Sequence, residues 1–213
     1  MTNPAAIFDD LAPDYDENGY HRALAETLVA ALPRSGRPAT VLDVATGTGV
    51  AAFAALRHLK PARVTAVDIA GSMIARARES AAVDDPTGVI SWHVGPGVPA
   101  PVAGQSVDVV LCASSLHFLG SAALGDWLRV LRPGGRAAFT LPAAGHFRPS
   151  GVFAELVSPD LPIPADERQA AEVAVTAGFT EVVARRHETG GDHPKAVFLV
   201  HAVAPVQGAS EAP

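Results

Sequence analysis

Residues 40–49 read Thr40-Val41-Leu42-Asp43-Val44-Ala45-Thr46-Gly47-Thr48-Gly49, and Val50-Ala51-Ala52-Phe53-Ala54-Ala55 follows at once. The first half is an apolar run of strand type ending in an acid. Small residues then carry the chain directly into helix-forming sequence, which is how a βαβ unit opens. Small side chains let a ligand approach the backbone, and unpaired amides at the helix start favour a negative or polar group. Taken alone, the turn also fits a tight strand-to-helix connection that binds nothing.

Outward from this turn, apolar runs bounded by turn residues alternate with helix-like stretches. Strands are expected over Thr40–Ala45, Arg63–Asp68, Val89–Val94, Val107–Ala113 and Gly135–Leu141, and helices over Val50–Leu59, Ser72–Ala82 and Ala122–Leu131. Nearly continuous apolar strands separated by helices make an α/β fold, a parallel sheet covered on both faces. After Pro142 the order changes. A loop rich in Pro and Gly leads to a helix near Ala165–Ala177 that stops at Gly178. Two further strands, Thr180–His187 and Ala196–Ala204, are joined through Gly190-Gly191, so the last pair is antiparallel. Ahead of the sheet, Ala5–Leu32 reads as two helices, with Ile7, Phe8 and Leu11 on one face of the first and Leu24, Leu28 and Leu32 at helical spacing on the second. Both are expected to form a lid over the carboxyl edge of the strands, where open parallel sheets bind ligands.

The net charge of −6 is spread over single residues and short pairs. No basic block is present to neutralise phosphates, which argues against nucleic acid and for a small neutral or cationic substrate. Cys112 is the single cysteine, and no Cys/His cluster has zinc spacing, so neither a disulfide nor a metal is expected. Acids at Asp9, Asp10, Asp14 and Asp16 occupy the place of a signal peptide's apolar run, and no apolar segment reaches about 18 residues. A cytoplasmic protein that does not enter membranes is expected. Abundant Ala, Gly, Pro and Arg suggests a bacterial source.

Asp68 closes the second strand, nineteen residues after Gly49. A carboxylate there accepts hydrogen bonds from the two hydroxyls of an adenosine ribose, although an isolated acid also reads as a strand end or a helix cap. Gly47-Thr48-Gly49-Val50-Ala51-Ala52 satisfies the dinucleotide pattern G-x-G-x-x-A as well. Asp43 argues the other way, since a carboxylate beside the turn repels a pyrophosphate but suits the ammonium end of a methionine moiety.

With these residues in view, the chain resembles a class I S-adenosylmethionine-dependent methyltransferase of the broad family that includes the ubiquinone/menaquinone biosynthesis C-methyltransferases. The likeness runs from about Ile7 to Leu141. It is carried by the runs Phe8–Asp16, Val41–Gly49, Val67–Met73, Val107–Val110, Leu116–Leu119 and Val130–Arg136. It implies a Rossmann-like seven-stranded, mostly parallel sheet with an antiparallel last strand, and S-adenosyl-L-methionine as cofactor. It also implies that Asp43, Ala45, Thr46, Gly47 and Gly49 lie along the methionine half and that Ala113 offers its carbonyl to the ammonium. Asp68 would hold the ribose, Ile69 and Met73 would pack on adenine, and Tyr15 would help close the site. Gly95-Pro96 departs from the Gly-Asp usual in the family. Proline has neither carboxylate nor amide, so one adenine contact is lost, at about 1 kcal/mol, or is supplied by backbone at Val94, Gly95 or Gly97. The expected organisation is one domain over 1–204, with the lid at 1–35, the cofactor-binding core at 36–142 and a substrate-side loop and hairpin at 143–204. Residues 205–213 read as a flexible tail.

Methyl transfer is an in-line displacement, so the protein aligns nucleophile and methyl and, for a hydroxyl or ammonium acceptor, removes a proton. His117 is the first candidate base, because imidazole titrates near neutral pH, and a structural role is its other reading. Tyr20, His21 and His146 are further candidates. Cys112, Trp92 and Trp127 read as core. The function expected is transfer to a small-molecule acceptor in bacterial secondary metabolism, by a monomer or homodimer. The alternatives are a methyltransferase-like protein catalysing a non-methylating cyclisation or isomerisation, hinted at by Pro96, and a less favoured NAD-dependent oxidoreductase.

Overall fold

The computed structural model describes residues 3–15, 19–33, 36–188 and 195–206. Its sheet comprises β1 (Thr40–Val44), β2 (Arg63–Asp68), β3 (Ile90–Val94), β4 (Val107–Cys112), β5 (Leu131–Pro142), β6 (Thr180–Glu188) and β7 (Ala196–Val203). The strand order is β3-β2-β1-β4-β5-β7-β6. Strands β1 to β5 pair in parallel, and β7 runs antiparallel to both β5 and β6. The expected mostly parallel α/β sheet is therefore the fold of this chain. The order reverses between β1 and β4, which opens a crevice outside their carboxyl ends.

Alternation along β1 and β4 sends Val41, Val109 and Leu111 to one face and Leu42, Val44, Val110 and Cys112 to the other. Helices α2 (Tyr20–Ala30) and α3 (Val50–His58) cover the first face through Leu24, Leu28, Val29 and Phe53. Helices α6 (Ala122–Val130) and α8 (Glu167–Ala177) cover the second through Leu124, Trp127, Val173 and Ala174. Burying one such large side chain contributes about 1.5–3 kcal/mol. Helix α4 (Gly71–Asp84) packs beside β2 and β3, burying Met73, Ile74 and Ala77.

Helix α8 starts two residues later than the sequence pattern suggests, because Asp166 is its cap and accepts the Gln169 amide at 2.8 Å. It ends where expected, at Gly178, with φ 104°. Strand β5 begins at Leu131 rather than Gly135. Arg132-Pro133-Gly134-Gly135 lies within it as an irregularity, since β4 pairs Val107 with Leu131 and then Val109 with Arg136. Two short helices, α5 (Leu116–Leu119) and α7 (Val152–Leu156), are too brief to leave a helical period in the sequence.

The lid expectation needs correction. Only α1 (Pro4–Leu11) lies over the carboxyl edge; it has no buried residue and rests on α4. Asp9 Oδ1 accepts the Ser72 amide at 2.7 Å, and Arg76 Nη1 donates to the Pro13 carbonyl at 2.6 Å. Helix α2 is instead part of the core layer. The His201 imidazole of β7, kept neutral by burial, donates from Nε2 to the Leu28 carbonyl at 2.9 Å and fixes α2 to the sheet. The connection through Gly190-Gly191 and the tail from residue 207 lie outside the described residues. Among the described residues no helix is long and apolar enough to cross a membrane.

Candidate functional site

The turn after β1 is held by its two acids. Asp43 is fully buried; its Oδ2 accepts the Thr46 hydroxyl, while Oδ1 has no partner among the described residues. Burial pushes this carboxyl up to about 7, the Thr46 hydroxyl and the Ala52 amide offset part of that, and the charge of Asp68 adds to it. Asp68 is nearly buried, and its two oxygens accept the Ala70 amide at 2.9 Å and the Gly47 amide at 2.8 Å. Burial raises this carboxyl too, against the pull of those amides. A carboxylate has about four acceptor positions, so Asp68 retains capacity for two ligand hydroxyls.

Ala45 takes φ 52°, the left-handed region in which a side chain is strained, and so brings its backbone to the cavity at some cost. Gly49 takes φ 85° at the start of α3, and an added Cβ would lie 2.5 Å from Trp92 Cη2. Strain and overlap together predict that Gly49→Ala lowers stability by about 2–3 kcal/mol, read from chemical denaturation. An unchanged midpoint would contradict this packing of Gly49 under Trp92.

Three spaces meet at the turn. The first, about 300 Å³, is lined by Tyr15, Ala45, Gly47, Asp68, Ile69, Met73 and Pro96, together with Phe8, Gly97 and Phe118. A narrow recess beside it reaches Asp43, Thr46 and Ala113. The unpartnered Oδ1 of Asp43 is the kind of buried acceptor that a cationic donor satisfies. Two residues expected at the site line neither space. Gly49 lies where an added Cβ would run into Trp92, and the Gly95 amide donates to the Asp68 carbonyl at 2.8 Å.

The third space, about 520 Å³, adjoins the first across Phe8, Tyr15 and Phe118, which line both. Tyr20, His21, His117 and His146 all line it. His117 differs from the expected neutral-pH imidazole. It is buried beside Phe118 and Phe147, its Nδ1 has no partner among the described residues, and burial pulls it down to about 4. An imidazole of that pKa is neutral near pH 7 and a weak base. His21 stacks on Tyr15 with ring centroids 4.5 Å apart, and burial raises the Tyr20 phenol. Arg186 Nη2 donates to His146 Nε2 at 3.2 Å.

Sequence reading missed Phe147, Phe153, Arg148 and Lys195, which also line this space. One signal was present. Phe147 and Phe153 stand in a stretch that fits no core strand or helix, so their apolar surface had to be covered some other way. With Phe8 and Phe118 they place half of the chain's eight phenylalanines here. A larger groove of about 680 Å³ lies at the opposite, amino edge of the strands, lined by Arg37, Lys60, Asp108 and Arg132. Size does not mark the site, because ligands of open parallel sheets bind at the carboxyl edge. Among the described residues no group of three or more His, Cys, Asp or Glu could hold a metal ion.

Residues 41–135 match the family model described as a methyltransferase domain. The chain is 38% identical over 131 residues to the ubiquinone/menaquinone biosynthesis C-methyltransferase UbiE of Methylobacterium nodulans, a match covering 60% of this chain and 52% of that protein. It spans about half the length of the curated relatives it matches. Phosphoethanolamine N-methyltransferase 2 of Haemonchus contortus, solved with S-adenosyl-L-methionine, aligns with a TM-score of 0.62 at 18% identity, over 88% of this chain and 52% of that one. The [4+2]-cyclase SpnF aligns with a TM-score of 0.69 at 17% identity, over 95% and 96%. These last two likenesses are of fold.

Proposed function

We propose, from the match of residues 41–135 to a methyltransferase domain, that the chain is a class I, S-adenosylmethionine-dependent methyltransferase and that it methylates a small-molecule acceptor held in the 520 Å³ space. The observation that carries this reading is the unpartnered Oδ1 of buried Asp43, a residue of the recess beside the turn and an acceptor suited to an ammonium group. Asp43 and the Ala113 carbonyl would hold that ammonium, and Asp68 would accept from the ribose hydroxyls. Ile69 and Met73 would pack on adenine. Pro96 brings no polar group to adenine, and the Gly95 amide is committed to Asp68. When bound, S-adenosylmethionine supplies an electrophilic methyl on a sulfonium.

The chain's own part is then to position and to exclude water. Phe8, Tyr15 and Phe118 border both spaces and make the partition between them aromatic. His117, kept neutral by burial beside Phe118 and Phe147, is suited to shape the cavity wall rather than to strip a proton. A cavity of this size accommodates a small molecule. We place the protein in the cytoplasm, as a monomer or homodimer in bacterial secondary metabolism.

Calorimetry with S-adenosylmethionine, S-adenosylhomocysteine and NAD tests the cofactor: heat is expected from the first two and not from NAD, and silence from the first two overturns the reading. An acceptor screen with intact-mass readout then tests transfer, with added methyl and released S-adenosylhomocysteine expected. The fold alone does not choose between transfer and the chemistry of a cyclase. A product formed without consuming the cofactor would favour the latter.

A further inference from the structure

The cavity beside the turn joins an aromatic wall to a cationic rim. Phe8, Phe118, Phe147 and Phe153 supply the apolar wall, while Arg148 and Lys195 stand at the exposed edge. Among the described residues no aspartate or glutamate lines it. Arg148 is already oriented: its Nη1 donates to the Ala144 carbonyl at 2.8 Å and to the Phe147 carbonyl at 2.9 Å. That leaves the Nε–Nη2 edge, the pair of parallel N–H groups that binds a carboxylate in two-point fashion, without a protein partner among the described residues. Lys195 Nζ lies 4.5 Å from the Tyr20 ring centroid, a second positive charge on the same rim.

We infer that the acceptor is a flat, apolar ring compound carrying a carboxylate, with the ring among the phenylalanines and the carboxylate on Arg148 and Lys195. The inference rests on the proposed methyl transfer and sharpens it. It also reverses what the overall charge of −6 suggests, since whole-chain charge says little about a single cavity. The anion sits at the rim, where side chains can follow it, and the rest of the ring enters toward Phe118, the wall shared with the cofactor space.

The test uses the full chain saturated with S-adenosylhomocysteine and four probes of one shape: 2-naphthoate, 2-naphthalenemethanol, 2-naphthylmethylamine and 2-naphthyl phosphate. Naphthoate is expected to bind about tenfold more tightly than the alcohol, and the amine more weakly than either. Its affinity should drop about tenfold in Arg148→Gln and several-fold in Lys195→Gln, with the alcohol unaffected and melting temperatures unchanged. Equal binding of alcohol and acid, tighter binding of the amine, no binding of any probe, or an unaltered naphthoate affinity in both variants would overturn the inference. Stronger binding of the phosphate would overturn the choice of carboxylate. Failure of S-adenosylhomocysteine itself to bind would instead strike the proposed function.

Discussion

Asp68→Ala is expected to weaken S-adenosylhomocysteine binding by at least about a hundredfold. Two hydrogen bonds from ribose hydroxyls to a charged acceptor contribute about 1.5–3 kcal/mol each, so their joint loss amounts to about 3–6 kcal/mol. The same substitution frees the amides of Gly47 and Ala70, which the carboxylate now holds at 2.8 and 2.9 Å, so the turn loosens as the ligand contact goes. Asp68→Asn keeps one acceptor oxygen and should fall between the two. Calorimetry reads the affinity, and a thermal melt separates local loosening from unfolding. Binding that survives Asp68→Ala unchanged would place the ribose elsewhere.

Acid is expected to weaken the same complex, by about tenfold for each pH unit below about 7 and about a hundredfold by pH 5. In the empty protein burial lifts the Asp43 carboxyl from the usual 3.8 to about 7. Below that value the group carries a proton, and an ammonium can pair with it only after the proton leaves. The direction for folding alone is opposite. A raised carboxyl makes the folded chain hold a proton that the unfolded chain releases, so this group's contribution to stability is full below about 4 and lost as pH rises through about 7. Ligand protection against heat should therefore grow with pH over the range in which the empty protein weakens. Asp68 is raised by burial as well, so the comparison ligand is 5′-methylthioadenosine, which keeps the ribose and lacks the ammonium. The difference between the two affinity profiles belongs to Asp43, and Asp43→Asn should abolish it. Parallel profiles for the two ligands would remove Asp43 from the proposed contact.

The core of the fold was legible because its signals are local. The apolar run at 40–44, the small residues after it and the acid at 68 each act within one strand or turn, and the chain order of strands and helices leaves few sheets to choose from. The lid was misjudged for a physical reason. An amphipathic pattern says that a face is covered and not by what, so Leu24 and Leu28, which pack under α3 and the sheet, look the same in sequence as Ile7 and Phe8. Helices of four and five residues leave no period, which hid α5 and with it the burial that makes His117 a poor base. The cationic rim was invisible because Arg148 and Lys195 are joined only in space.

Tyr15 touches all three spaces at the turn, and Phe8 and Phe118 join it between the two larger ones, while most of the remaining walls come from different parts of the chain. Asp43, Ala45, Gly47, Asp68, Ile69, Met73 and Pro96 belong to one continuous stretch of the sheet's first half. The phenylalanine cavity takes His117 from the connection after β4, 146–153 from the connection after β5, and 195–197 from the beginning of β7. Insertions or exchanges in the connection after β5, which lines neither of the other two spaces, leave the Asp43 and Asp68 framework in register. One inherited reagent site can thus be carried unchanged from descendant to descendant while each lineage remodels the chamber next door for a different client molecule.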